Sequence, residues 1–130
     1  MYEQETDGVL VRVEPQFLPD ESEPNEHHFV WAYTIEIENR GLEPVQLLSR
    51  FWRITDMNGV TQEVRGDGVI GQQPVIPPGQ SFRYTSAAPL AAPSGLMMGA
   101  YSMVREDGEE VEVAVPIFAL DSPYSRQLLN

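Results

Sequence analysis

Hydrophobic and polar positions alternate with a period of two along most of this chain, and helical periodicity surfaces almost nowhere. Phe29, Trp31, Tyr33, Ile35 and Ile37 fall on one face of an extended segment, with Val30, Ala32, Thr34, Glu36 and Glu38 on the other. Successive side chains of extended backbone point to opposite sides, so this spacing predicts a core strand. Asn39-Arg40-Gly41 ends it. Pro44 to Asp56 is then apolar on both faces, with Val45, Leu47 and Phe51 on one side and Leu48, Trp52 and Ile54 on the other. Asn58-Gly59 predicts a two-residue type I′ hairpin turn, whose central positions both need positive φ, and returns the chain through Val60, Gln62 and Val64.

Pro78-Gly79 turns into a strand near Gln80 to Ser86, and Gly95 to Arg105 reads as another, rich in Met and broken at Gly99. Glu106-Asp107-Gly108 closes a hairpin onto Glu109 to Leu120, where Val111, Val113, Val115 and Ile117 share a face. With an N-terminal strand at Val9, Val11 and Val13, about seven or more strands separated by turn signals predict an all-β, immunoglobulin-like antiparallel β-sandwich. The Cys…Trp…Cys of a true immunoglobulin domain is absent, so the fibronectin type III-like variant fits better. The acidic, Pro-rich Pro15 to Pro24 reads as a solvated loop and residues 121–130 as a fraying tail. The 130 residues make a single domain, 1–130, with its core at about 8–120.

Composition narrows the chemistry. The chain has no Cys, which removes disulfides, thiolate nucleophiles and Cys-based metal sites. All eight basic residues are Arg, so Schiff-base lysines and a P-loop lysine are also out. A net charge of −12 opposes nucleic acid and anionic membrane surfaces as partners. No secretory leader or spanning segment is recognisable, and a cytoplasmic location is expected. The charge is also segregated. Acids crowd Glu3 to Glu26 and Glu106 to Glu112, yet none occurs from Gly68 to Arg105, a stretch that holds Arg83 and directly follows Arg65.

One motif stands at the edge of that stretch. Gly66-Asp67-Gly68-Val69-Ile70-Gly71 has the G-x-G-x-x-G spacing of a dinucleotide-binding loop. Pro74, Pro77 and Pro78 follow it and forbid the helix whose N-terminus would hold a pyrophosphate, and no acid stands about 20 residues later to hold a ribose. Two readings remain. In one, the glycines supply positive φ or close backbone approach at a bend. In the other, exposed backbone N–H groups of the loop at Gly66, Gly68 and Gly71, with Arg65 or Arg83 beside it, form a concavity for a phosphate-bearing or carboxylate ligand.

Catalytic machinery is not evident. His27 and His28 are adjacent at the mouth of a strand, point to opposite faces and cannot chelate one ion together. No Gly-x-Ser-x-Gly elbow is present, and the carboxylates fall in runs that read as solvated faces. The acidic hairpin at Glu106 to Glu112 lacks the spaced ligands of a calcium loop. No catalytic residue, no metal site and no cofactor is therefore expected. A second surface is suggested by Ala87 to Met98, an uncharged apolar connection, in which Leu90, Leu96, Met97 and Met98 are candidates for contact with a protein partner or a second copy of the chain.

Several of these segments together resemble one family. Phe29-Val30-Trp31-Ala32-Tyr33-Thr34-Ile35, the run Pro44 to Thr55, Glu63 to Pro74 with its glycines, Phe82-Arg83-Tyr84-Thr85-Ser86, Met98-Gly99-Ala100-Tyr101-Ser102-Met103 and Val115-Pro116-Ile117-Phe118-Ala119-Leu120 are similar, in this order, to the bacterial ApaG family. The resemblance implies a small fibronectin type III-like sandwich with a link to cobalt and magnesium resistance and to genes for dinucleoside polyphosphate hydrolysis. Related domains in eukaryotic F-box and polymerase-interacting proteins imply protein binding. Ala100 departs from the pattern: the family often carries His there, and any ligand duty of that imidazole is absent from this chain.

Two functions follow as expectations. The first is a non-enzymatic protein-interaction module using the apolar connection and exposed sheet edges. The second is a binder or weak hydrolase of phosphate-bearing small molecules at the Gly66 to Gly71 loop.

Overall fold

The computed structural model describes residues 1–125. Nine strands follow in order: β1 (Tyr2–Thr6), β2 (Val9–Phe17), β3 (Phe29–Asn39), β4 (Val45–Asp56), β5 (Thr61–Asp67), β6 (Val75–Ile76), β7 (Ser81–Leu90), β8 (Gly95–Arg105) and β9 (Glu110–Leu120). They form two antiparallel sheets, one ordered β1-β2-β3-β7 and the other β5-β4-β8-β9, with β6 also on β4. The sandwich expected from the alternation is the fold observed.

Period-two patterning places the core. Trp31, Tyr33, Ile35 and Ile37 of β3 and Val9, Val11 and Val13 of β2 face Leu47, Trp52, Tyr101, Met103, Val113 and Phe118 from the other sheet. Trp52 sits at the centre, edge-on to Tyr33, Tyr101 and Phe118 at centroid separations of 5.5–6.2 Å, a geometry that matches the positive ring edge to the negative face. Gly99 is required here: a Cβ on it would lie 2.2 Å from the Phe51 carbonyl oxygen and 2.7 Å from Cε3 of the Trp52 ring. It does not break β8, which runs continuously through it.

Two bulges reset the alternation. In β4 the register to β8 shifts between Leu47 and Ser49, so Val45, Leu47, Trp52 and Ile54 all reach the core while Phe51 turns to the outer surface. In β9 a shift between the partners of Met97 and Gly99 brings Phe118 and Leu120 inward. Ile117, expected on the face of Val111, Val113 and Val115, is 53% exposed as a result.

Other boundaries move as well. β2 continues through Pro15 to Phe17, whose ring packs on Trp31 at 5.4 Å, and the rest of the expected loop forms two 3-10 turns at Pro19–Glu21 and Pro24–Glu26. The hairpin after Asp56 has positive φ at Gly59 only, so it is not the type I′ turn; the Asp56 side chain accepts the N–H groups of Asn58 and Val60 at 2.9 and 3.1 Å instead. Residues 121–125 are packed down. The Trp31 indole donates to the Asp121 carbonyl at 2.7 Å, the Ser122 hydroxyl donates to the Pro93 carbonyl, and Tyr124 packs on Phe17 and Phe29. The remainder of the expected tail, 126–130, lies outside the described residues.

The two sides of the sandwich differ. On one side β9 packs on β1 and β2, and the N–H groups of Ala114 and Ala119 donate to Thr6 Oγ1 and the Tyr2 hydroxyl at 3.3 and 3.2 Å. On the other side both sheets end in a strand paired along one edge only, β7 in the first sheet and β5 in the second.

Candidate functional site

The glycine motif spans the end of β5 and the bend that follows. Gly68 and Gly71 have φ of +63° and +77°, and Ile70 between them has +43°. A Cβ on Gly68 would lie 2.2 Å from the Gln72 carbonyl oxygen, so this position needs glycine both for conformation and for space. Val69 and Gln72 exchange backbone hydrogen bonds of 2.8 and 2.9 Å, and the Gly68 N–H donates to the Leu48 carbonyl at 2.8 Å. The Val69 side chain is buried in the core. Backbone donors that an anion cradle would need at Gly68, Val69 and Gln72 are thus already engaged within the protein. The loop's hydrogen bonding matches the bend reading at these positions.

Gly66 does something different. It lies in β5 opposite Arg50, and the β4 bulge puts Arg50 on the core-facing side, beside Tyr101 and in phase with Trp52. The Arg50 guanidinium lies against Gly66 and donates from Nη1 to the carbonyls of Asp67 and Gly68 at 3.1 and 2.8 Å. Close by, the Tyr84 and Tyr101 hydroxyls share a hydrogen bond inside the sandwich. Burial raises the pKa of Tyr33, Tyr84 and Tyr101, and the positive charge of Arg50 partly counters each shift.

Arg65 points the other way. It stacks on the outer face of Phe51, 4.2 Å from the ring centroid, in an open depression of about 520 Å³ whose walls include Ser49, Arg53, Ala100 and Glu112. Such stacking is worth about 0.5–1 kcal/mol at an exposed site. Arg53 shares this surface but is neutralised by Glu63 at 2.7 Å. Arg83 is not part of it. Tyr84 faces the core, so the preceding Arg83 must project from the outer face of the other sheet, where it lies near Arg12, Thr34 and Glu36. Of the two arginines expected as alternatives beside the glycine loop, Arg65 lies there with Gly66 and Arg83 lies elsewhere. Arg65 precedes the acid-free stretch and Arg83 lies within it, and the two project from different sheets.

The second expected surface also divides. Ala87 to Leu90 continues β7 and Leu96 to Met98 belongs to β8, so the apolar run is largely strand, not connection. Leu90 is 3% exposed and Met97 1%, both in the core, whereas Leu96 is 54% exposed and Met98 is half-buried on the outer face. Leu90 and Met97 are withdrawn from any partner surface, because strand alternation turns them inward. His27 and His28 are exposed. Among the described residues no three His, Asp or Glu side chains gather around one point.

What the sequence pattern missed is the open side. Val64 pairs with the buried Trp52 and shares its core-facing phase, yet is 42% exposed, and Gln62 two residues earlier is exposed on the same face. The inner face of β5 is thus uncovered at Val64 and Gln62, at the edge strand of the second sheet. Arg50, which lies against Gly66 and acts on Tyr84 of β7, borders the same side of the sandwich.

These features define an all-β, fibronectin type III-like sandwich with a free strand edge and an arginine-bearing outer face. The ApaG domain model matches residues 19–105, and the chain belongs to the ApaG family. It is 58% identical to Protein ApaG of Maricaulis maris and 52% identical to Protein ApaG of Rhodospirillum centenum, in each case over the whole of both chains. The crystal structure of an ApaA protein from Bordetella pertussis superposes with a TM-score of 0.86 at 46% identity, covering 88% of this chain and 94% of that one. The C-terminal domain of wzt shares the fold alone, with a TM-score of 0.55 at 10% identity, covering 92% and 76% of the two chains. No helix among the described residues is long and apolar enough to cross a membrane.

Proposed function

We propose that this domain is a non-enzymatic protein-interaction module whose binding surface is the open side of the sandwich. One observation carries the reading: Val64 occupies a core-facing position of β5 and yet is 42% exposed. An apolar side chain in core phase but left in water gains free energy from any partner that covers it, at about 25 cal/mol per Å². A role in cobalt and magnesium resistance or in dinucleoside polyphosphate metabolism would then be exercised through the bound partner. The test is affinity capture from native extract with wild-type and Val64→Asp chains. Loss of specific partners in the variant supports the reading, and identical capture by both chains removes this surface from it.

A second reading is favoured by Arg65, which has no carboxylate within salt-bridge distance among the described residues, whereas Arg12, Arg40, Arg53 and Arg105 each have at least one. Its guanidinium, held on Phe51, suits a phosphate-bearing small ligand. Titration with pyrophosphate should move the amides of Ser49, Arg65 and Ala100, and Arg65→Ala should abolish those shifts. Silence at millimolar pyrophosphate rejects the small-ligand reading.

A further inference from the structure

How a partner would be held at the open side, a question that rests on the interaction reading above, is answered by the backbone of β7. This strand pairs with β3 continuously from Glu38↔Ser81 to Phe29↔Leu90, and its opposite edge pairs with no strand among the described residues. Long free edges are normally blunted by lysines, bulges, inward charges or brevity. β7 is ten residues long, its register to β3 is unbroken, and its sequence, Ser-Phe-Arg-Tyr-Thr-Ser-Ala-Ala-Pro-Leu, carries one charge. Only Pro89, near its end, interrupts the row of donors. The small side chains from Thr85 to Ala88 leave this backbone accessible.

Standard strand and sheet spacings say what a neighbour on that edge would meet. Neighbouring strands lie about 4.8 Å apart and facing sheets about 10 Å, so a strand added to β7 would stand over β5, with Val64 and Gln62 beneath it. We propose that the free edge of β7 receives an extended, acidic segment of a partner protein as a fifth strand of the first sheet. Alternate side chains of the segment pack on Val64, and those between them face Arg83.

Charge selects the occupant. Arg83 on the outer face and Arg50 on the inner face are both without a carboxylate in salt-bridge range among the described residues, and Glu36, the register partner of Arg83, is already held by Arg12 at 2.7 Å. No acid occurs from Gly68 to Arg105, so β7 and both its connections are acid-free in a chain of net charge −12. A second copy would bring its own Arg83 and its own net charge to the edge, and like charges disfavour that pairing. An acidic extended segment supplies what the edge lacks, with main-chain bonds giving affinity and alternate side chains giving specificity.

The probe is a synthetic decapeptide in which Val alternates with Asp and Thr, titrated into the full chain and followed by NMR. Strand addition predicts shifts at the amides of Thr85 to Ala88 and the methyls of Val64. It also predicts at least tenfold weaker binding when Lys replaces Asp in the peptide or when Arg83→Glu is introduced, and loss of binding when alternate peptide nitrogens are methylated. No binding, indifference to N-methylation, or shifts confined to Phe51 and Arg65 would overturn it. So would a homodimer, detected by sedimentation, that Val64→Asp dissolves. The two levels of the reading separate through Ala87→Pro, with Val64→Asp as the companion should the proline variant fail to fold. Unchanged capture of native partners by a folded Ala87→Pro chain rejects strand addition while the interaction module stands; no partner and no peptide on the wild-type chain rejects both.

Discussion

The guanidinium of Arg50 lies so close against Gly66 that a Cβ on Gly66 would stand 2.9 Å from both Nη atoms. The three glycines of the motif thus have three separate duties, and substitution by alanine distinguishes them. Gly71→Ala meets no atom within 4 Å but keeps φ at +77° and should cost about 1 kcal/mol. Gly66→Ala displaces the end of a flexible side chain and its bonds to Asp67 and Gly68, again about 1 kcal/mol. Gly68→Ala adds a backbone clash to a left-handed φ and should cost roughly 3 kcal/mol or more. Urea denaturation of the three variants checks the order; equal effects would contradict these assignments.

The β4 bulge makes neighbouring aromatic residues unequal. Trp52 is buried among Tyr33, Tyr101 and Phe118, so Trp52→Ala should destabilise by about 3–5 kcal/mol. Phe51 lies on the outer face under Arg65, and Phe51→Ala should cost only about 1 kcal/mol. Chemical denaturation of both variants tests the phase of β4 directly, since an unbulged strand would place the two side chains differently.

Asn39 is buried where β3 ends, and its amide nitrogen donates to the carbonyls of Glu43 and Ile76 at 2.7 and 2.9 Å while its oxygen accepts the Gly41 N–H. Asn39→Asp replaces the donor with an oxygen facing two carbonyls. At neutral pH the variant should lose about 2–3 kcal/mol relative to wild type. Protonation of the new carboxyl restores one donor, so the deficit should shrink below its pKa. A deficit independent of pH between 4 and 7 would exclude this arrangement.

Burial raises the folded-state pKa of Tyr33, Tyr84 and Tyr101 above the ordinary value of 10.0. Their contribution to stability is complete below pH 10. As pH rises above 10, the unfolded chain releases protons that the folded chain retains, so stability falls, and it continues to fall until the folded-state pKa values are passed. The slope should approach about 1.4 kcal/mol per pH unit for each tyrosine. Tyr84→Phe removes one titrating group and should flatten this alkaline limb, at a cost of about 1 kcal/mol near neutrality from the lost Tyr101 bond. Guanidinium titrations from pH 8 to 11.5 measure both effects.

The strands were legible wherever one face is buried without interruption, as in β3, because alternation records the side on which each residue falls. It does not record a change of phase. At Leu48 and near Pro116 one extra residue reverses the sides, which is why β4 reads as apolar on both faces and why alternation alone groups Phe51 with Val45 and Leu47, and Ile117 with Val113 and Val115. β1, Tyr-Glu-Gln-Glu-Thr, has no apolar face to betray it and is held by Tyr2 and Thr6 at its ends. Of the candidate site, the glycine bend and the outward Arg65 could be read from residue type. The separation of Arg65 from Arg83, the inward turn of Arg50 and the uncovered inner face of β5 depend on sheet order, which no local pattern carries.

The contact of β1 with β9 also sets the timing of assembly. Tyr2 meets Phe118 and the Ala119 amide, and Thr6 meets the Ala114 amide, so β1 must wait for β9, made much later, before their side of the sandwich can close. Such long-range pairing makes for slow folding, in the range of milliseconds to seconds for all-β domains. During synthesis, the apolar faces of β2 and β3 are exposed before their covering strands exist. The acids concentrated from Glu3 to Glu26 place like charges beside those faces, and like charges oppose association of exposed apolar strands.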